Sequence, residues 1–255
     1  MPCDVHYELS GPDDAPVLVF SNSLGTDLSM WDPQAAQLAD RMRVLRYDIR
    51  GHGRSPVPAG PYSIADLSGD LVALLDRLEL DRVSICGLSI GGMTSIWTAA
   101  NAPERVERLV VCCSSAHLDP EGTYRERAAL VRERGLEPIV DAALGRWFTA
   151  GFMTRAPEVV EERRRNLLVT PVEGYAGCSE AIAGSDLRGL LADVRAPTLV
   201  ISGRDDPATP PEHGRLIADG IAGARFEIVD DAAHLANLQQ PEVVGALIER
   251  HLLNS

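Results

Sequence analysis

The stretch "VSICGLSIGG", residues 83–92, decides the fold. An apolar run, Val83–Cys86, meets Gly87-Leu88-Ser89-Ile90-Gly91-Gly92. Helical spacing then continues over Ile90–Asn101, until Pro103 stops it. This is a strand that turns into a helix at a serine flanked by glycines. A Gly-x-Ser-x-Gly pattern alone says little, since glycine frequency produces one by chance in about one chain in ten of this length. The context gives it weight. A sharp strand-to-helix turn lifts Ser89 above the edge of a sheet, and Gly87 and Gly91 leave room for strained backbone there. The plainer alternative is a glycine-rich turn that only packs helix against strand.

Working outward, short and often β-branched apolar runs recur at Val17–Phe20, Val44–Tyr47, Leu109–Cys113, Thr198–Ser202 and Phe226–Val229. Segments of helical period separate them, among them Ser63–Leu78, which Ser63 and Asp66 are placed to cap. Strand-helix alternation implies an α/β class with a mostly parallel sheet flanked by helices. Only Val5–Leu9 reads as a strand before the first parallel one. From Asp119 to Arg188 no strand is visible, and "TYRERAALVRERG", "EPIVDAALGRWF", "PEVVEERRRNLL" and "VEGYAGCSEAIAG" all read as helices. The expected organisation is a core of residues 1–118 and 189–255, with an inserted helical cap over 119–188. The run Arg163-Arg164-Arg165 is expected on a solvated helix face.

The chain has 255 residues, enough for one sizeable core. Its formal charge is −13. Such a field disfavours nucleic acid and anionic membrane as partners, and an anionic substrate would need a local cation. All 24 basic residues are arginine, which excludes a catalytic lysine. No apolar run is long enough to span a membrane, and the N-terminus has no signal-peptide pattern, so a cytoplasmic location is expected. The five cysteines lack zinc spacing, and Cys86, Cys112 and Cys113, in apolar strand-like runs, read as buried reduced thiols. No metal is expected.

A serine nucleophile needs a base. His234, in "VDDAAHLANLQQPE", follows the last strand, where α/β sheets place their chemistry. His52, in "DIRGHGRS", reads as structural, as does Arg54. The remaining histidines lack a comparable context. An imidazole base needs an orienting carboxylate. "ISGRDDPATP" offers Asp205 and Asp206, and Asp206 is preferred from its spacing after the strand. Serine, aspartate and histidine then occur in the order this topology requires. An oxyanion needs two preset N–H donors. One is Ile90, directly after Ser89. The other is Leu24, in the "NSLG" turn of residues 22–25 after the first long strand, with Asn22 and Ser23 shaping that turn.

Together, "SNSLGTDLSMWDPQ", "YDIRGHGRS", "GLSIGG" and "GRDDPATP" resemble the α/β-hydrolases over nearly the whole chain, and within them the 3-oxoadipate enol-lactonases. The first segment discriminates; most relatives carry His-Gly where Asn22-Ser23 stand. The resemblance implies hydrolysis of 3-oxoadipate enol-lactone to 3-oxoadipate in aromatic catabolism, with no cofactor. The small-molecule anionic lactone carries a carboxylate. Arg146 and Trp147, in "GRWFTAGF", are the expected contacts: the guanidinium pairs with the acid and the indole walls the ring. A homo-oligomer is compatible with the sequence. The alternatives on the same framework are a carboxylesterase or carbon-carbon bond hydrolase, and a hydrolase-fold receptor with negligible turnover.

Overall fold

The computed structural model describes residues 1–118 and 122–253. Seven strands form one sheet: β1 (Tyr7–Ser10), β2 (Val17–Ser21), β3 (Arg43–Tyr47), β4 (Val83–Leu88), β5 (Val106–Cys112), β6 (Thr198–Gly203) and β7 (Arg225–Val229). Their spatial order is β1-β3-β2-β4-β5-β6-β7. Only β1 is antiparallel, pairing Tyr7 with Tyr47 and Ser10 with Val44. The composition follows the position. β4 and β6 are buried along their whole length, so both sides of each strand must be apolar or small. The edge strand β1 instead alternates half-buried with exposed residues.

The helices are α1 (Asp32–Leu38), α2 (Ile64–Arg77), α3 (Ile90–Asn101), α4 (Thr123–Arg134), α5 (Val140–Trp147), α6 (Ala150–Arg155), α7 (Pro157–Val169), α8 (Val172–Ala183), α9 (Pro211–Gly220), α10 (Ala236–Gln239) and α11 (Pro241–Leu253). α3 packs on β4, β5 and β2 as well as on α2, and α1 packs against α11. Ser63 and Asp66 cap α2 reciprocally: the Asp66 amide donates to Ser63 Oγ at 3.1 Å and the Ser63 amide to Asp66 Oδ2 at 2.9 Å.

The helices α4–α8 fill the stretch between β5 and β6. The expected start of the insertion, Asp119, lies outside the described residues. α8 is pressed onto the loop after β3. A Cβ on Gly51 would stand 2.3 Å from Gly174 Cα, and one on Gly177 would stand 2.6 Å from the Tyr62 ring. α7 corrects one expectation. Arg163 is not solvated; it is 2% exposed. Its guanidinium donates to Ser29 Oγ at 3.0 Å and lies 3.7 Å from Asp27 Oδ1. Arg163 and Leu167 are one helical turn apart, and both point inward, whereas Arg165 is exposed. A run of three arginines cannot share one face of a helix, so one of them had to find a partner inside.

Candidate active site

Ser89 sits at the β4–α3 junction with φ 59° and ψ −120°, a backbone region that costs a non-glycine residue about 1–3 kcal/mol. The neighbouring glycines explain how the turn closes. A Cβ on Gly87 would stand 2.2 Å from Gly91 O, and one on Gly91 would stand 2.3 Å from Ser21 O. Either side chain would push strand and helix apart. The strained residue is pinned on both sides: its amide donates to Cys112 O at 3.0 Å, and its carbonyl accepts from Ser114 Oγ at 2.7 Å.

His234 lies in the loop after β7 and Asp206 in the loop after β6. The chain order separates them by 28 residues, yet His234 Nδ1 and Asp206 Oδ2 are 2.8 Å apart. Asp206 Oδ1 accepts the Ala208 and Thr209 amides at 2.8 and 3.0 Å, and Oδ2 accepts Thr209 Oγ1 at 2.6 Å. Burial alone would raise the Asp206 pKa; the His234 ring and the Thr209 hydroxyl and amide outweigh it, and the carboxyl stays below its ordinary value. Asp205 is exposed, its amide spent on Ala232 O at 2.9 Å.

The C-terminal end of α5 holds this histidine loop from the other side. The last carbonyls of α5, which have no partner within their helix, accept from it. Arg146 O takes the His234 amide at 3.4 Å, and Trp147 O takes the Leu235 amide at 3.0 Å.

The "NSLG" turn has its neighbouring amides committed. The Ser23 amide donates to Met30 Sδ at 3.3 Å and the Gly25 amide to His52 Nε2 at 3.0 Å. Among the described residues, the amides of Leu24 and Ile90 have no protein acceptor. Asn22 ties the turn down, donating from Nδ2 to Tyr47 O at 2.9 Å. Leu28 and Arg54 donate their amides to Asp48 at 2.7 and 2.9 Å, so the loop after β3 carries the turn after β2. Arg54 contributes its backbone to that arrangement, and its side chain is exposed.

Ser89, Leu24, His234, Arg146 and Trp147 all line one narrow inner cavity. Arg127 of α4 lines it too, and this residue was missed in the sequence. "TYRERAALVRERG" carries its arginines without a clean apolar stripe, so nothing distinguished Arg127 from a surface charge. Its guanidinium stands over the Tyr124 ring, 4.4 Å from the centroid, and the Tyr175 and Tyr124 hydroxyls favour its charged form, raising its pKa despite burial. Arg127 and Arg146 also line an outer cavity of about 520 Å³ that contains His117 and His213. Burial pushes the Arg146 guanidinium below its ordinary value, and the charge of Arg127 adds to that. Chemically, the cavity presents a hydroxyl on strained backbone, an imidazole fixed by a carboxylate, two free amides and two cations.

A family model described as the alpha/beta hydrolase fold matches residues 16–241. The chain belongs to the α/β-hydrolase family. Within this hydrolase family it is 42% identical over 245 residues to 3-oxoadipate enol-lactonase 2 of Acinetobacter baylyi, covering 96% of this chain and 91% of that one. The crystal structure of the enol-lactonase from Burkholderia xenovorans superposes with a TM-score of 0.95 at 43% identity, over 97% of this chain and 96% of that one. The hydrolase is also 30% identical, over 97% of each chain, to a Rhizobium rhizogenes protein whose name, RutD, carries carbamate hydrolysis as an unproven activity.

Proposed function

We propose that this hydrolase opens 3-oxoadipate enol-lactone to 3-oxoadipate, with Ser89 as nucleophile, His234 as base, Asp206 as its orienting carboxylate and residues 119–188 as a cap. The observation that carries the reading is the His234–Asp206 pair, 2.8 Å apart, with His234 lining a cavity shared with Ser89 and two cations. Similarity to the enol-lactonases supplies the substrate.

Asp206 accepts from Nδ1–H of His234 and leaves Nε2 as the base. Ser89 Oγ attacks the lactone carbonyl and gives its proton to Nε2. The Leu24 and Ile90 amides stabilise the oxyanion. The ring C–O bond breaks, and the oxygen leaves as an enol that takes the proton from Nε2. A water, deprotonated by the same nitrogen, attacks the acyl-serine. The carboxylate departs, Ser89 regains its proton, and the freed enol tautomerises to the ketone. Arg146 pairs with the substrate carboxylate, and Trp147 walls the ring.

The similarity to RutD favours a second reading, carbamate hydrolysis by the same triad. Two half-buried guanidiniums on the cavity speak for an anionic substrate over a neutral one. The test follows enol-lactone by its ultraviolet absorbance, with 4-nitrophenyl acetate in parallel and Ser89→Ala as control. Fast loss of lactone that vanishes in Ser89→Ala, with slow ester cleavage, is expected. Untouched lactone beside fast ester or carbamate cleavage would discard the substrate and keep the triad.

A further inference from the structure

Among the described residues, the two fully buried arginines are each met by a carboxylate: Arg50 Nε stands 2.6 Å from Asp70 Oδ2, and Arg163 lies against Asp27 and Glu162. Among the described residues, neither Arg127 nor Arg146 has a carboxylate within ion-pair distance. A half-buried cation without a counter-ion is costly. Two of them on one cavity, each repelling the other, cost more. Arg127 nonetheless stacks on the Tyr124 ring beside Tyr175. Two cations placed together with no carboxylate partner among the described residues are what an anion site needs before the anion arrives.

The position of the pair is as informative as its charge. Arg127, Arg146, Tyr124 and Ala208 line the inner cavity that holds Ser89 and His234, and the same residues line the outer one. They form the neck between the two. The inner cavity offers about 20 Å³, room for about one water, while the outer one offers about 520 Å³. A lactone ring with its carbonyl at Ser89 therefore has to reach back into the neck.

We propose, building on the hydrolase reading of Ser89 and His234, that Arg127 and Arg146 form a two-guanidinium neck that seats the substrate's carboxylate facing outward, and that Arg127 sets the selectivity for anions. The substrate class is esters and lactones with a carboxylate a few bonds from the scissile carbonyl. Substituents on the carbon that bears the carboxylate project into the outer cavity, towards His117 and His213. The neck also answers the overall charge of −13: the chain repels anions at long range, and the neck supplies the local cations that offset this.

The test compares 4-nitrophenyl hydrogen glutarate with its neutral methyl ester, using Ser89→Ala to subtract background hydrolysis. The wild type is expected to prefer the anionic ester in kcat/KM. Arg127→Gln is expected to lose about 10- to 100-fold on the anion, the size of one charge-assisted hydrogen bond. That loss should be at least tenfold larger than the loss on the neutral ester and should lie mainly in KM, with Arg127→Lys recovering part of it. Equal losses on both esters would make Arg127 a packing residue and overturn the proposal. A wild type that prefers the neutral ester would overturn it without any variant. An anion preference in an enzyme that leaves enol-lactone intact would uphold the neck and remove the lactonase reading alone.

Discussion

Two histidines follow strand ends of the same sheet, and both are buried: His52 after β3 is 0% exposed and His234 after β7 is 4% exposed. Their rings are held in opposite senses. His52 accepts the Gly25 amide at Nε2 and so carries its proton on Nδ1, towards Arg50 O at 3.2 Å. Burial drives its pKa down to about 4, outweighing the Arg50 carbonyl and the Asp27 charge, which favour the charged ring. His234 faces a carboxylate through Nδ1, and its ring borders the cavity with Ser89. Burial makes a histidine a fixed neutral prop when an amide donates to it. It makes a candidate base when a carboxylate orients it and the other nitrogen faces open space.

The largest effect should come from His234→Ala. On the proposed mechanism it lowers kcat/KM for enol-lactone by at least about 10⁴-fold, while circular dichroism shows the fold unchanged. An activity loss below about tenfold would place the two histidines on the same footing. His52→Ala should act the other way round. It leaves the Gly25 amide without an acceptor and opens a cavity, so stability in urea should fall by about 2–4 kcal/mol. Activity should fall only about tenfold, through a displaced Leu24 amide and mainly in kcat. Full activity in a destabilised variant would detach the turn from the chemistry.

The smallest effect is on pH. The folded pKa of His52, about 4, lies below the unfolded value of about 6.5. Between those values the unfolded chain binds a proton that the folded chain refuses. The stability is complete above the unfolded value and declines as pH falls towards the folded one, by up to about 3 kcal/mol. Urea unfolding over that range should show the slope in the wild type and a shallower one in His52→Gln. Parallel slopes would remove His52 as the cause.

The legible parts of the molecule share a property. β4, the turn at Ser89 and α3 are contiguous, so one local pattern of apolar run, glycines and helical period describes them. The same holds for Asp206 and His234, each in a loop directly after a strand. Asp205 and Asp206 were distinguished by spacing after the strand, and in the structure it is Asp206 that accepts the Thr209 amide and meets His234, while Asp205 is exposed. Arg163 and Arg127 were not legible in this way. Both stand in charged helices whose patterning is nearly featureless, and each owes its role to a distant element: Ser29 and Asp27 for Arg163, and Tyr175 and Arg146 for Arg127.

The sequence by itself determined the alternation of strands and helices, the strained serine and the order of the three candidate catalytic residues. These follow from periodicity and from glycine's freedom, which act over a few residues. The tertiary structure decided what lies across the cavity. It set the α5 carbonyls on the His234 loop, gave the Gly25 amide to His52 and put two guanidiniums on one cavity with no carboxylate at ion-pair distance among the described residues. Those outcomes depend on how the helices between β5 and β6 pack against the loops that follow the strands. Desolvation then decides which charges find partners there, and no local pattern encodes either.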